Sequence, residues 1–411
     1  MIRQICVVVL AATISLVTAC KDDDKKDKII FGHVTSVTGP FAGTSANYST
    51  VYNMWRDDVN ADGGIYVEKY DKKLPIEIIV YDDESNVENS GIQTEKAIVE
   101  DEVDLLLPPI GTEAVYYNSQ IANNHGYLLI APSGGAAKLK EIISDMPYFF
   151  SMLQFADTQM PALAKILKEE ALGVTKVGIA KMEEIHGIEY LAALEPALVA
   201  EGIDYVVKPF APATTDFTSY FSDFISEGVD AFVAFSYPSH TTAMIQQAQQ
   251  QQINAFKVFF ATVLIASPAQ MLNPDNFGGP DGIQGIMGAG AWNSKSSTAA
   301  KAFEDAYIAK YNARPAYWGA LPAYATVQII QKAIEEVGLD QKKMRDFIAG
   351  ATVDNPIDTA MGGIYFVGGM NQTYAGQIGQ WQKDEQGNSI FEVVDADDLR
   401  TADPIIKPNW P

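Results

Sequence analysis

Residues 105–120, LLLPPIGTEAVYYNSQ, lead from an apolar strand into a helix and show how the neighbouring chain is organised. The leucine run stops at two prolines, and a helical pattern begins near Thr112. The N–H groups of a first helical turn have no partner inside the helix, and the helix dipole favours an anion beside them. We therefore expect this helix start to hold a carboxylate, provided that a cleft lies above it.

The chain on both sides of this unit alternates between apolar β-like runs and helical patterns. The runs are KIIFGHVTS, PIEIIVYDD, VDLLLPP and GYLLIAPS, followed by KVGIAKM, IDYVVKPF, DAFVAFSYP and KVFFAT. Such alternation predicts βαβ units and parallel sheets covered by helices on both faces. The expected fold class is α/β, with two doubly wound lobes, helices between 298 and 349, and antiparallel strands near the C-terminus.

The first 28 residues have the pattern of an export signal and a tether. Residues 5–17 are almost wholly apolar and follow a single positive charge at Arg3, which predicts a signal peptide over 1–19. Residues 17–20, VTAC, resemble the lipobox of bacterial lipoproteins, and this resemblance implies lipid attachment at Cys20. The alternative is an ordinary signal peptide that is cleaved nearby, in which case Cys20 has no role in lipid attachment. Residues 20–28 are expected to be a charged, solvated tether between the membrane and the folded part.

Composition limits the partners of this protein. The chain has 411 residues, of which 47% are hydrophobic, so a sizeable core is expected. Its net charge is −23, and loss of the one positive charge at Arg3 makes it −24, which argues against binding nucleic acid or an anionic membrane face. Cys6 lies within the signal peptide, so no internal disulfide is expected after cleavage.

Four residues that follow apolar runs are candidates for holding the anion. In open parallel sheets, ligands lie beyond the carboxyl ends of the strands. Thr112 and Ser133 supply hydroxyls at such ends, while Gly134 and Gly135 let the backbone approach a bound group closely. The alternative is that both hydroxyls cap helices and both glycines serve only the turn.

The order of several short motifs resembles a known family over residues 29 to about 394. These motifs are VTSVTGPFAG after the first strand, NADGGI after the first helix, IIVYDDESN after the second strand and APSGG after the fourth. Together they look like the type I periplasmic-binding-protein fold, and specifically like the branched-chain-amino-acid-type receptors of ABC transporters. The resemblance implies a ligand carboxylate held at Thr112, Ser133 and Gly135, with His186 and Tyr237 closing from the other lobe.

The same resemblance implies an organisation and a set of partners. Lobe one is expected at 29–153 and 287–357, lobe two at 154–286 and 358–395, and a C-terminal tail at 396–411, with a three-strand hinge joining the lobes. The expected role is that of an exported, membrane-anchored, monomeric receptor that delivers a small ligand to the permease and ATPase subunits of an importer.

One departure from the amino-acid receptors concerns the ligand's charge. Those receptors place an acidic side chain where this chain has Val263, and a buried ammonium without an anionic partner is costly. An α-amino acid therefore fits poorly unless Glu183, Glu184 or Asp83 supplies the missing charge. An acid with an apolar or aromatic body fits better, with flat walls expected from Phe41, Tyr116, Tyr237, Val263 and Trp292. Ordinary core packing is the alternative for each of these side chains.

Other classes of function find less support in the sequence. The four histidines are scattered and no HExxH or CxxC motif occurs, so no metal is expected, and the lack of a GxGxxG or Walker lysine argues against a nucleotide cofactor. An exported serine hydrolase using PSGGA or SYPSH lacks the GxSxG elbow. A ligand sensor of the same fold, which docks a membrane regulator instead of a permease, stays open as an alternative.

Overall fold

The structure, a computed structural model, describes residues 26–135, 137–262, 271–373, 377–395 and 399–410. Thirteen helices and eighteen strands are defined within these ranges, with short 3₁₀ turns at Glu68–Tyr70 and Ser294–Ser296. In chain order they are β1 Ile29–Thr35, α1 Ala42–Ala61, β2 Ile65–Val67, β3 Lys72–Leu74, β4 Ile76–Asp82, α2 Val87–Val99, β5 Leu105–Leu107, α3 Thr112–Asn124, β6 Leu129–Ala131, α4 Ala137–Ile143, β7 Phe149–Ser151, α5 Ala156–Lys168, β8 Lys176–Met182, α6 Ile185–Ala200, β9 Asp204–Phe210, α7 Thr218–Ser226, β10 Ala231–Phe235, α8 Pro238–Gln250, β11 Val258–Ala261, α9 Pro274–Phe277, α10 Gly279–Gly282, β12 Ile286–Ala291, α11 Thr298–Tyr311, α12 Ala320–Val337, α13 Gln341–Ala349, β13 Ile357–Thr359, β14 Gly362–Ile364, β15 Phe366–Val367, β16 Met370–Asn371, β17 Gln377–Lys383 and β18 Ser389–Val393.

The first lobe is built on parallel strands, as the alternating pattern predicts. Strand β1 lies between β4 and β5 and is parallel to both. A second sheet of this lobe has the order β15-β16-β7-β6, and its strands β6 and β7 are parallel. The leucines of β5 are buried on both faces because helices cover both sides of the sheet. The carboxyl ends of β1, β5 and β6 therefore meet along one edge, where Thr112 and Ser133 follow their strands.

The second lobe contains a seven-stranded sheet in the order β18-β17-β12-β11-β10-β8-β9. Its strands from β9 to β12 are parallel, and the C-terminal hairpin β17–β18 adds two antiparallel strands beside β12. All five residues of β10 are buried, as expected for a central strand of a sheet covered on both faces. The α/β class, the two lobes and the antiparallel C-terminal strands are confirmed.

Strand pairing moves two of the predicted lobe boundaries. The boundary expected at 287 cuts through β12, but this strand pairs with β11 in the second sheet, so the chain returns to lobe one only after 291. The boundary expected at 358 also shifts. Met370 of β16 pairs with Ser151 of β7 in the sheet β15-β16-β7-β6 of lobe one, so lobe one extends at least to Asn371. The short strands β13–β16 continue lobe one instead of beginning lobe two.

Within the described ranges, two segments cross between the lobes, at 152–155 and 292–297, and the second is tied to lobe two by Asn293. The Asn293 side chain is fully buried; it donates to the carbonyl of Phe391 (2.9 Å) and to Glu392 Oε2 (3.1 Å), and it accepts from the N–H of Lys295 (2.8 Å). Glu392 is itself buried and pairs with Lys295. This amide thus fixes the start of the second crossing against the C-terminal hairpin.

Replacing Asn293 with alanine should destabilise the protein by about 1–3 kcal/mol, because the buried Phe391 carbonyl and the Glu392 carboxylate each lose one donor. Urea unfolding should show a lower midpoint with an unchanged slope. Asn388→Ala, which removes an exposed turn contact to Asp384, is the matched control and should change the midpoint little. Equal midpoints for the two variants would contradict the structural role of Asn293.

Candidate functional site

A cavity lies between the two lobes at the carboxyl ends of their parallel strands. The cavity and its opening contain about 490 Å³ of space between atoms, a figure that includes the open solvent at its mouth. Both lobes contribute to its lining, which consists of Phe41, Thr44, Ile110, Gly111, Thr112, Ser133, Gly134, Gly135, Leu153, Gln159, His186, Tyr190, Tyr237, Pro238, Thr262, Ala289, Gly290 and Trp318. Seven residues predicted from the sequence are thereby brought to one place: Phe41, Thr112, Ser133, Gly134, Gly135, His186 and Tyr237.

Helix α3 presents an uncapped N-terminus to this cavity. Gly111 occupies the N-cap position with φ of 94°, a backbone conformation that favours glycine, and it has no side chain to make a capping hydrogen bond to the first-turn N–H groups. Thr112 is the first helical residue and is buried, with its hydroxyl in contact with the Tyr237 hydroxyl across the cleft. Thr112 is therefore not the cap of its own helix, and its hydroxyl lies at the cavity surface beside free backbone donors.

Ser133 supplies a second hydroxyl to the cavity. Its side chain is 2% exposed, and its Oγ has no hydrogen-bond partner in the described part of the chain. A buried hydroxyl without a partner is unfavourable, so this group is suited to meeting a bound polar atom. The alternative that Ser133 caps a helix is excluded by this lack of a partner.

The glycine pair after Ser133 is needed for two different reasons. Gly134 has φ of 92°, and a Cβ there would lie 3.0 Å from Val115 Cγ1. A Cβ on Gly135 would lie 2.5 Å from the Tyr190 hydroxyl, which comes from the opposite lobe. Gly134 thus permits the turn, while Gly135 permits the two lobes to approach each other.

The second lobe lines the cavity with stacked rings. His186 lies between Tyr190 and Tyr237, with ring centroids 4.4 Å and 5.1 Å away. Its Nε2 is 2.7 Å from the Thr262 hydroxyl, and burial lowers its pKa to about 3. This imidazole is therefore neutral at ordinary pH, and the wall it forms is aromatic and uncharged.

Phe41 and Tyr237 close the cavity from opposite lobes. Their rings meet edge to face with centroids 5.0 Å apart. Phe41 is held by Ser85, whose hydroxyl accepts from the N–H of Phe41 (3.0 Å) and donates to the carbonyl of Thr38 (2.7 Å). The lobes are thus in contact across the cleft, and the structure represents a closed arrangement.

No charged side chain is among the residues that line this cavity within the described ranges. Of the three acids that were considered as partners for an ammonium, Glu183 is exposed, and Asp83 accepts from the Ser36 hydroxyl and the Ser85 N–H. Glu184 lies near Tyr237 but outside the lining. The cavity therefore offers neutral donors and apolar surface and no anionic partner among these residues. Val263, predicted to be at the cleft, lies outside the described residues.

Two predicted wall residues lie elsewhere. Trp292 is in the core of lobe one, where its indole N–H donates to the Ala316 carbonyl (2.8 Å) and its ring packs on Phe303 and Tyr317. Tyr116 is on α3 but packs beside Tyr117 and under the Lys138 ammonium, away from the cavity. Four residues turn an α-helix by about 400°, so Tyr116 lies on nearly the same side of α3 as Thr112 but about 6 Å further along the axis, beyond the cavity lining.

Sequence reasoning missed several cavity residues. The indole that reaches the cavity is Trp318, which lies against Gly290, where a Cβ would be 2.5 Å from the ring. Thr44, Gln159, Tyr190 and Thr262 also line the cavity. Thr262 directly follows β11, and residues that follow parallel strands are the ones the sequence singles out as candidates for the site. Gln159 and Trp318 lie in helical or irregular segments, where this rule does not apply.

The geometry around the serines lacks the base that nucleophilic catalysis requires. Ser133 Oγ has no hydrogen-bond partner in the described residues, and the His240 ring beside Ser239 lies 2.8 Å from the Pro212 carbonyl through its Nε2. Across the described ranges, no group of three or more His, Cys, Asp or Glu side chains is arranged to hold a metal ion. In the same ranges, every helix is too short or too polar to cross a lipid bilayer.

Comparison with known proteins gives consistent matches along the chain. The sequence profile of the periplasmic binding protein family matches residues 28–394. A leucine-, isoleucine-, valine-, threonine- and alanine-binding protein of Pseudomonas aeruginosa is 22% identical over 336 residues, which cover 78% of this chain and 83% of that protein.

Solved structures show the same fold. The solute-binding protein of an ABC transporter from Rhodopseudomonas palustris HaA2, in complex with p-hydroxybenzoic acid, has a TM-score of 0.75 at 20% identity and covers 91% of this chain and 98% of its own. The branched-chain amino acid transporter substrate-binding protein of Streptococcus pneumoniae, in complex with isoleucine, has a TM-score of 0.73 at 19% identity, covering 90% and 100%. Both are two-lobed α/β proteins of the type I arrangement described above.

Replacing Gly135 with alanine should hinder closure, because its Cβ would overlap the Tyr190 hydroxyl of the other lobe. Small-angle X-ray scattering should give a larger radius of gyration for Gly135→Ala than for the wild type. Adding Tyr190→Phe removes the obstructing oxygen and should bring the radius back toward the wild-type value. An unchanged radius in the single variant would contradict the role assigned to Gly135.

Proposed function

This chain belongs to the periplasmic binding protein family, and from that premise we propose that it is the exported solute-binding protein of an ABC importer for a small carboxylate with an aromatic or other apolar body. The observation that carries the proposal is the buried Ser133 hydroxyl, which has no partner in the described residues and shares a cavity with the uncapped start of α3. A ligand carboxylate would accept hydrogen bonds from both. Thr112 and the backbone of Gly134 and Gly135 would complete its surroundings.

The character of the cavity supports an acid more strongly than an amino acid. Its walls are neutral and aromatic, and the described lining contains no carboxylate that would compensate an ammonium group. The relatives differ in the class of ligand they hold, since one was solved with p-hydroxybenzoic acid and another with isoleucine. A branched-chain amino acid is therefore the second candidate ligand, and it requires an acid from outside the cavity lining.

The closed arrangement supports a capture mechanism. The ligand would enter between open lobes, and closure would bring Phe41 against Tyr237 and remove the apolar body from water. The crossing segments would act as the hinge. The closed protein, acting as a monomer, would then dock on the permease, with the ATPase subunits driving import.

The most direct test is a melting-temperature screen of the purified protein against aromatic acids, aliphatic acids, amino acids and amides. A ligand that binds only the folded form raises the midpoint as its concentration exceeds its dissociation constant. The proposal expects acids with apolar bodies to raise the midpoint and the corresponding amides to have little effect. Stabilisation by amides and acids alike would argue against a carboxylate site.

Thr112→Val and Ser133→Ala should each weaken binding of the best acid from that screen by about 1–3 kcal/mol, because a buried carboxylate loses one hydrogen bond. Isothermal titration calorimetry measures the loss. Thr94→Val is the matched control, since the Thr94 hydroxyl is also buried in lobe one but donates to the Ser90 carbonyl (2.9 Å) away from the cavity. Affinity retained in both cavity variants would contradict the carboxylate assignment.

We propose in addition that Cys20, which lies outside the described residues, carries a lipid that tethers the protein to the membrane. The sequence VTAC at residues 17–20 and the charged tether at 20–28 support this attachment. Cys20→Ala should release the protein from the membrane fraction and abolish incorporation of labelled palmitate. Continued labelling of that variant would place the attachment elsewhere or refute it.

A further inference from the structure

Glu184 occupies an unusual position at the edge of the cleft in lobe two. It is the N-cap of α6, and its Oε1 accepts from the N–H of Gly187 at 3.1 Å. Its Oε2 is buried and accepts no hydrogen bond of normal geometry. Within the described part of the chain, Glu184 also forms no ion pair, so the buried half of this carboxyl group is removed from water without a cation to compensate its charge.

The strongest influences on the Glu184 carboxyl come from both lobes, and none of them is a positive side chain. From lobe one, Glu113 in the first turn of α3 repels it electrostatically, and α3 packs against α6 across the cleft. From the start of α8, the Tyr237 hydroxyl interacts with the Glu184 carboxyl and with Thr112. On its own helix, His186 contributes a backbone N–H, while its ring is neutral. Closure thus places one carboxyl group near another from the opposite lobe.

We propose that Glu184 takes up a proton when the lobes close, so that the cleft closes more readily in mildly acidic than in mildly alkaline solution. This inference depends on the proposed function in one respect, which is that the two lobes open and close around the cleft. A protonated Glu184 would keep its Oε1 bond to Gly187 and would no longer repel Glu113. The neighbouring acid on the same segment, Glu183, is exposed.

The direction of the pH effect follows from the surroundings of the closed state. Burial, followed by the charge of Glu113, raises the pKa of Glu184 from 4.5 to about 7, although the backbone N–H groups of His186 and Gly187 act in the opposite sense. In the open state the carboxyl would be hydrated and far from Glu113, so its pKa would return toward the ordinary value. The protonated form is therefore favoured by closure. The contribution to closure is present at pH 6 and is lost as the pH rises through 7.

Small-angle scattering of the ligand-free protein between pH 5 and pH 9 tests this coupling. With one proton involved, the ratio of closed to open molecules should rise about tenfold from pH 8 to pH 6, and the radius of gyration should fall accordingly. Glu184→Gln retains an oxygen for the Gly187 bond and should be insensitive to pH over this range. Glu183→Gln makes the same change of charge at the exposed neighbour and should follow the wild-type curve.

A second variant tests the contribution from the opposite lobe. Glu113→Gln removes the repelling charge and should shift the transition to lower pH without abolishing it. The proposal would be overturned by a wild-type radius that does not depend on pH, or by a Glu184→Gln protein that follows the wild-type curve. Because no ligand is used, failure of every acid in the melting screen would count against the proposed function and leave this result unaffected.

Discussion

The start of helix α3 and the Ser133 hydroxyl form a set of hydrogen-bond donors that the protein itself leaves unused at the cleft. Folded chains normally satisfy such groups, because a buried polar atom without a partner is costly. Here the cost is concentrated at one place, where Gly111 takes the cap position that a serine or aspartate would otherwise occupy. The two lobes, their hinge and the glycine pair at 134 and 135 together place over these donors a cavity whose described lining carries no charged side chain.

Closure of the cleft requires that the backbone of each lobe can come close to aromatic side chains of the other lobe. Gly135 has room for hydrogen alone beside Tyr190, and Gly290 has room for hydrogen alone beside Trp318, so the lobes can approach until aromatic surfaces meet. Ser85 holds the backbone of Phe41, and His186 is held between two tyrosines. The walls are thus set before a ligand arrives, which limits the entropy that binding must remove.

The electrostatics of the cleft divide it into two regions. The lining of this cavity is neutral in the described residues, while Asp83 and Glu113 line an adjoining cavity on the other side of Phe41 and Tyr237, and Glu184 interacts with Glu113 and Tyr237. An anion that passes these acids is separated from them by the Phe41–Tyr237 contact once the lobes close. A change of protonation at Glu184 would then affect the equilibrium between open and closed forms without altering the donors that hold the ligand.

The sequence by itself determined the α/β class, the two-lobed plan and most of the anion-binding candidates. Strand and helix periodicity are local properties, and residues that follow parallel strands must gather at one edge, so Thr112, Ser133, Gly134 and Gly135 were predictable. Only the tertiary structure decided which tryptophan reaches the cavity, where the chain crosses between lobes, and that Glu184 meets Glu113. These outcomes depend on contacts between segments far apart in the chain. Trp292 packs in the core beside Phe303, and β12 pairs with β11 in the second sheet. No local pattern carries that information, because burial and charge proximity arise when the separate lobes pack together.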